Sequence, residues 1–264
     1  MTLVLTDISQ YGIVMGADAA DTMETRLPGG KKGLRVLNGV KKLFPLPHLK
    51  AGISCWGHGE IGDLMTDIWL SHFIERHQDR SKTLQEFAIQ LQDELNRTIP
   101  PTQSGEAEAG FHLAGFVSRD GRRIPDLWHI HNGASQFFGN IDPHVFNANH
   151  DLAAATSKGV YSPGRPNFIL RNGDYEFYAA WWKDFESLLN RTLRLRHVHI
   201  PRPSLEGRAE YIRFQIRTIG EIYAMSTRLP SIGGETSILT IDDIGIRYYQ
   251  SAALSSWGPG TESR

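Results

Sequence analysis

The first 57 residues constrain the fold more than any other part of the chain. Two apolar segments, Leu3–Ile8 and Ile13–Ala17, flank Ser9-Gln10-Tyr11-Gly12, which reads as a hairpin with its glycine in the turn. The second segment closes on an acid, Asp18. Pro28-Gly29-Gly30 and Gly33 then mark an exposed loop or a distorted hairpin over residues 21–39. Short strands are predicted near Lys41–Phe44 and Lys50–Ser54, and the second runs into Cys55-Trp56-Gly57.

Helical periodicity follows. Ile61, Met65, Ile68, Trp69, Phe73 and Ile74 recur at helical spacing between Glu60 and His77. Thr83-Leu84-Gln85-Glu86 has capping-box form and opens a second helix, which stops at Pro100-Pro101. Strands resume at Phe111–Val117 and Asp126–His131, turning through Arg119-Asp120-Gly121, while residues 133–167 show no readable pattern. A strand at Asn167–Leu170 runs into Arg171-Asn172-Gly173. An aromatic helix over Tyr178–Leu195 and another over Leu205–Thr227 come next. A last strand, Thr236–Ile241, follows Ser231-Ile232-Gly233-Gly234, with Ile246–Tyr249 pairing back on it. This order predicts a single α+β domain over residues 1–254, with helices on both outer faces of two sheets, and a loose tail at 255–264.

Composition excludes several classes of partner. Lys and Arg number 28 against 29 Asp and Glu, a net charge of −1, so nothing favours nucleic acid or an anionic membrane. One cysteine excludes an internal disulfide and suits a reducing compartment. No apolar run approaches the roughly 20 residues of a membrane helix, and the N-terminus lacks a signal peptide's basic head. A cytoplasmic protein is expected.

The chemistry-bearing residues cluster early. A threonine hydroxyl is a weak nucleophile until a base takes its proton, and a chain's own α-amine serves as that base. Its reference pKa of about 7.7–8.0 leaves a share neutral near pH 7, and a nearby ammonium increases that share. Thr2 fills this role once Met1 is removed; read alone, it is an ordinary second residue. On a strand, Val40, Lys42 and Phe44 share one face while Lys41 points away. A lysine on a core-facing row requires a charge partner, and Asp18 is the candidate. The bland alternative is two solvated lysines at a strand end.

Taken together, these residues resemble proteasome β-type subunits and the related bacterial HslV-like peptidases, of the N-terminal-nucleophile hydrolases. The resemblance implies a four-layer α/β/β/α sandwich and amide-bond hydrolysis by the N-terminal threonine. It implies Thr2 as nucleophile, Asp18 and Lys42 as its catalytic partners, and the Trp56 and Gly57 backbone as the oxyanion donor. Asn172, at the family's serine, and Gly173 would support the N-terminus, and Val40, Ser54 and His58 would shape the specificity pocket. It further implies a homo-oligomeric ring or helical array, a peptide or unfolded-protein substrate, an ATP-dependent unfoldase as supplier, and no cofactor. Apolar side chains on Glu60–His77 and Tyr178–Leu195, beyond what one packed face needs, also point to self-association. The family's aspartate before the Ser-Gly-Gly turn is missing from Arg228-Leu229-Pro230. Two alternatives therefore stay open: a catalytically silent subunit of the same fold, and an amidase acting on small amides.

Other constellations read blandly. His129 with His131, and His197 with His199, would each share a strand face, yet no Cys or carboxylate lies at supporting spacing, so no metal is expected. Trp181, Trp182, Phe185, Leu188 and Leu189 suit core or subunit contacts. Arg191, Arg194 and Arg196 suit a solvated helix end. Gly29-Gly30-Lys31-Lys32 lacks phosphate-loop spacing.

Overall fold

The computed structural model describes residues 2–26, 32–99, 108–133, 142, 144–162, 167–173, 176–195, 204–227, 229 and 231–249. The chain runs β1 (Leu3–Ser9), β2 (Gly12–Ala17), β3 (Asp21–Arg26), β4 (Lys32–Leu37), β5 (Leu43–Leu46), a 3-10 turn (Pro47–Leu49), β6 (Ala51–Trp56), β7 (Glu60–Ile61) and β8 (Leu64–Met65). Then come α1 (Thr66–His77), α2 (Leu84–Thr98), β9 (Gly110–Arg119), β10 (Arg122–His131), β11 (Asn147–Asn149), α3 (Asp151–Ser157) and β12 (Asn167–Gly173). It ends with α4 (Glu176–Leu195), α5 (Leu205–Met225), β13 (Ser237–Ile241) and β14 (Ile246–Tyr248). This is an α+β protein. Its two larger described sheets are antiparallel and five-stranded, ordered β12-β1-β2-β13-β14 and β11-β10-β9-β6-β5. The tail at 255–264, His197 and His199, Arg196 and the stretch from Gly29 to Lys31 lie outside the described residues.

Period-two alternation explains the core. Val4 and Ile8 of β1, with Ile13, Met15 and Ala17 of β2, share one apolar cluster with Leu43, Trp56, Ala114 and Leu127 of the other sheet. The opposite face of β1 and β2, Leu3, Leu5 and Val14, packs with Tyr178, Trp182, Ile212 and Ile216 of α4 and α5. Ile53, Cys55, Phe111, Leu113 and Ile130 pack instead with Phe73, Phe87, Leu91 and Leu95 of α1 and α2. Strands buried on both faces are predominantly apolar, which is why β2, and β1 apart from Thr6 and Asp7, read as hydrophobic runs. Fully burying each such Leu, Ile or Phe contributes roughly 1.5–3 kcal/mol.

Two glycines set the spacing of these layers. At Gly16 an added Cβ would lie 2.5 Å from Ile212 Cγ2, so α5 seats directly on β2. At Gly52 it would lie 2.4 Å from Leu239 and 2.8 Å from the Met15 sulfur, where the sheets touch. A buried ion pair joins the same layers: Arg208 of α5 donates to Asp7 Oδ2 of β1 at 2.6 Å. Burial pushes the Asp7 carboxyl up, and the Arg208 guanidinium pulls it back.

Several expectations shift by a few residues. Of the two forms expected for residues 21–39, a loop or a hairpin, the described residues show the second: β3 pairs antiparallel with β4. The first predicted helix begins only at Thr66, because Glu60–Met65 turn back as β7–β8. Thr83 caps α2 by accepting from the Glu86 N–H at 3.1 Å, while the Glu86 carboxylate reaches the Lys82 N–H at 2.7 Å instead of the cap itself. Asp120 and Gly121 both take positive φ, 52° and 71°, giving the tight turn between β9 and β10. No described helix is long and apolar enough to cross a membrane.

Candidate active site

Asp18 lies just past the end of β2, 2% exposed, with both carboxylate oxygens occupied. Oδ1 accepts from the Leu3 N–H at 3.0 Å and from Lys42 Nζ at 3.3 Å. Oδ2 accepts from the Ala20 N–H at 3.2 Å and the Gly233 N–H at 3.0 Å. One side chain thus ties the start of β1, the Ser231–Gly234 turn and Lys42 together. Burial pushes its carboxyl up, against the pull of the Lys42 ammonium and of the Leu3 and Gly233 amides. Lys42 is 4% exposed and also donates to the Ala20 carbonyl. It was expected on a strand with Val40 and Phe44, but β5 starts at Leu43, so the lead-in turns Lys42 inward while Lys41 stays exposed. A buried ammonium needs such partners, because an unpaired one is among the costliest groups to remove from water.

Thr2, Val40, Lys42, Trp56, Gly57 and His58 line one cavity of about 20 Å³. Thr2 itself is 2% exposed. That volume admits one water-sized group. Gly57, at φ 90°, is irreplaceable there: an added Cβ would sit 2.1 Å from the Glu108 carbonyl oxygen. The neighbouring turn is pinned to α1, since Thr66 donates through its hydroxyl to the His58 carbonyl at 2.8 Å and through its N–H to that of Gly59 at 2.9 Å. The Trp56 ring packs among the inter-sheet residues, 5.7 Å from the His129 ring. Ser54 does not line the cavity; it lies on the inter-sheet face, opposite His112 in register.

Sequence reasoning missed Asp21, Cys55 and Asp67 in the cavity wall. Period-two alternation from Ile53 places Cys55 on the α1–α2 side, a signal the lone cysteine offered but could not interpret. Burial pushes its thiol up to about 12, so it is a neutral side chain and not a competing nucleophile.

The end of β12 closes the site from the other side. Gly173 pairs with Leu3, and Asn172 with Val4. Gly173 has φ 90°, and an added Cβ would lie 1.7 Å from the Thr2 carbonyl oxygen. Gly173→Ala should therefore cost about 1–3 kcal/mol and displace Thr2. Gly39→Ala, at φ 89° with nothing within 4 Å, carries the backbone strain alone. Guanidinium unfolding of both variants should show Gly173→Ala markedly less stable.

Behind Asn172 lies a group of histidines that corrects the sequence reading. His129 and His131, read from the sequence as lacking a supporting carboxylate, are both buried. Folding brings Asp151, at the start of α3, to 3.4 Å from His129 Nδ1, and His131 Nε2 lies 3.0 Å from Asn149 Nδ2. His112, which drew no attention in its apolar strand, contacts the His129 ring edge-on at 5.0 Å. Its Nε2 lies 2.7 Å from Asn172 Oδ1 and its Nδ1 3.0 Å from Thr6 Oγ1. The Thr6–His112 spacing would suit a nucleophile and base, but both residues are fully buried and no substrate reaches them. Burial holds His112, His129 and His131 each down to about 3, and pushes Asp151 up to about 6. Among the described residues no group of three or more His, Cys, Asp or Glu is placed to hold a metal ion.

Larger clefts lie elsewhere. One of about 700 Å³ is lined by Arg213, Glu235 and Tyr249, and another of about 400 Å³ by Asp126, His150 and Tyr161. Neither contains Thr2, Lys42 or Gly57 in its wall, and volume alone does not outweigh a cavity where a buried ion pair, a hydroxyl and a forced glycine turn converge. No protein-family model matches this chain, and no curated protein matches it either.

Proposed function

We propose that this chain is an N-terminal-nucleophile hydrolase of the proteasome β-type, cleaving peptide bonds with Thr2 after removal of Met1. The observation that carries the reading is the buried Asp18–Lys42 pair, whose carboxylate also binds the Leu3 N–H beside Thr2. Three apolar clusters, two between a sheet and a helix pair and one between the sheets, support the four-layer α/β/β/α arrangement. In this mechanism the Thr2 hydroxyl attacks the substrate carbonyl while its own amine takes the proton. Lys42 lowers the amine's pKa and Asp18 holds Lys42 in place. The Gly57 N–H stabilises the oxyanion, and the protonated amine then passes its proton to the departing amide nitrogen. Water hydrolyses the resulting ester. The reading calls for no cofactor and places the protein in the cytoplasm.

Self-association completes the proposal, as a ring or helical array with an unfoldase delivering unfolded chains. Ile68 on α1 is 46% exposed, and Leu188 is 53% exposed on α4, the helix that also carries the half-buried Trp181 and Phe185. Light scattering at micromolar concentration should give a mass several times 29.6 kDa; the monomer mass would remove the compartment from the proposal. Hydrolysis of fluorogenic peptides by the wild type and by Thr2→Ala tests the chemistry, with all turnover expected to vanish in the variant. The second reading, a silent structural subunit, is favoured by the 20 Å³ cavity. It predicts retained Met1 and no turnover in either protein.

A further inference from the structure

We infer that His112 is a positioning residue for Thr2, acting through Asn172 and the Gly173 turn. The inference rests on the hydrolase reading above and adds to it a side chain from the opposite sheet.

His112 lies on β9, on the face turned toward the other sheet, and is fully buried. It spans the gap between sheets with both ring nitrogens engaged, one on β12 and one on β1. The acceptor on β12 decides the tautomer. An amide oxygen only accepts, so Nε2 carries the hydrogen and donates to Asn172 Oδ1. A neutral imidazole then has a bare Nδ1, which accepts from the Thr6 hydroxyl. A protonated ring would present two donors and force Thr6 to turn round, and burial opposes that protonation.

This bond has leverage on Thr2. Asn172 directly precedes Gly173, whose Cα leaves no room for another atom against the Thr2 carbonyl. A shift of Asn172 is therefore transmitted to Thr2 through main-chain contact, not through a flexible side chain. Misplacing a reacting group by about 1 Å can reduce rate on the order of a hundredfold. His131 is also paired, but with Asn149 on β11, in the other sheet from β1 and β12. His112 is the histidine of this group that reaches the Asn172–Gly173 turn.

The test uses the full chain with Thr2 exposed as its first residue, and a peptide epoxyketone as probe. Intact mass follows the rate of adduct formation in the wild type, His112→Gln, His112→Leu and Asn172→Ala. Glutamine keeps a neutral donor for Asn172 Oδ1 and should label within about threefold of the wild type. Leucine should slow labelling about tenfold or more, with the loss in the maximal rate and not in the probe's half-saturating concentration. Asn172→Ala should match it, and the double variant should be no slower than either single one, because both break the same link. Should His112→Leu not fold, Asn172→Ala decides, being at a half-buried position. If the wild type labels and Asn172→Ala or a folded His112→Leu labels as fast, the positioning role is overturned while the hydrolase reading stands. A wild type that does not label overturns both.

Discussion

Lys42→Met should lower folding stability by about 3–5 kcal/mol and abolish peptide hydrolysis. Methionine fills nearly the same volume, so the loss comes from charge and not from a cavity. It leaves Asp18 ionised in a place where it is 2% exposed, with three backbone amides but no cation. The paired variant Lys42→Met/Asp18→Asn removes the stranded charge as well. It should regain part of the stability, because the two residues are in contact and their effects are not additive. It should regain none of the activity, because in the proposed mechanism the ammonium that lowers the pKa of the Thr2 amine is still missing. Guanidinium unfolding and peptide turnover on the wild type and the two variants separate the two roles. Equal stability of wild type and Lys42→Met would mean that the pair is not formed in solution.

Acid should unfold this protein steeply, because three histidines are buried neutral between the sheets. His112, His129 and His131 have folded pKa values lowered to about 3, against an ordinary value near 6.5. Below pH 6.5 the unfolded chain binds protons that the folded chain refuses, so their stabilising contribution is complete above that pH and lost as pH falls toward 3. Asp151 acts in the opposite sense. Raised to about 6, it takes up a proton in the folded state first, so its contribution improves between pH 6 and pH 4. Three protons against one leaves about two, or at most about 2.7 kcal/mol per pH unit near pH 5. Asp7 and Asp18, raised by burial, reduce that figure further. Denaturant titrations at pH 7.5, 6 and 5 should show the decline, and His131→Asn should flatten it by up to about 1.4 kcal/mol per unit. A stability unchanged between pH 7.5 and 5 would show that the histidines titrate as if solvated.

What the sequence revealed depends on how local each cause is. The β1–β2 hairpin was legible because strands buried on both faces are predominantly apolar. The start of α2 was legible because Thr83 and Glu86 are a cap made from adjacent residues. Asp18 and Lys42 were legible as a pair because a lysine bound for the core demands a counter-charge, and few acids were available upstream. Helix α3 was not: seven residues with an Ala-rich middle carry too little periodicity to be distinguished from a loop. The strands β7 and β8, two residues each, fall below any pattern. His129 appeared to have no carboxylate because Asp151 is 22 positions away in the chain and arrives only when α3 packs on β10. His112 was hidden by its apolar neighbours Phe111 and Leu113, which point to the opposite face of the strand.

The central claim is that Thr2 is the nucleophile. Its most direct test is peptide mapping by mass spectrometry after treatment of the purified protein with a peptide epoxyketone. A threonine that is both nucleophile and chain start presents two reactive groups on one residue. The account predicts a single adduct on a peptide beginning at Thr2, joined through both the hydroxyl and the α-amine, and absent from Thr2→Ala. An N-terminal peptide that keeps Met1 and carries no adduct would contradict it.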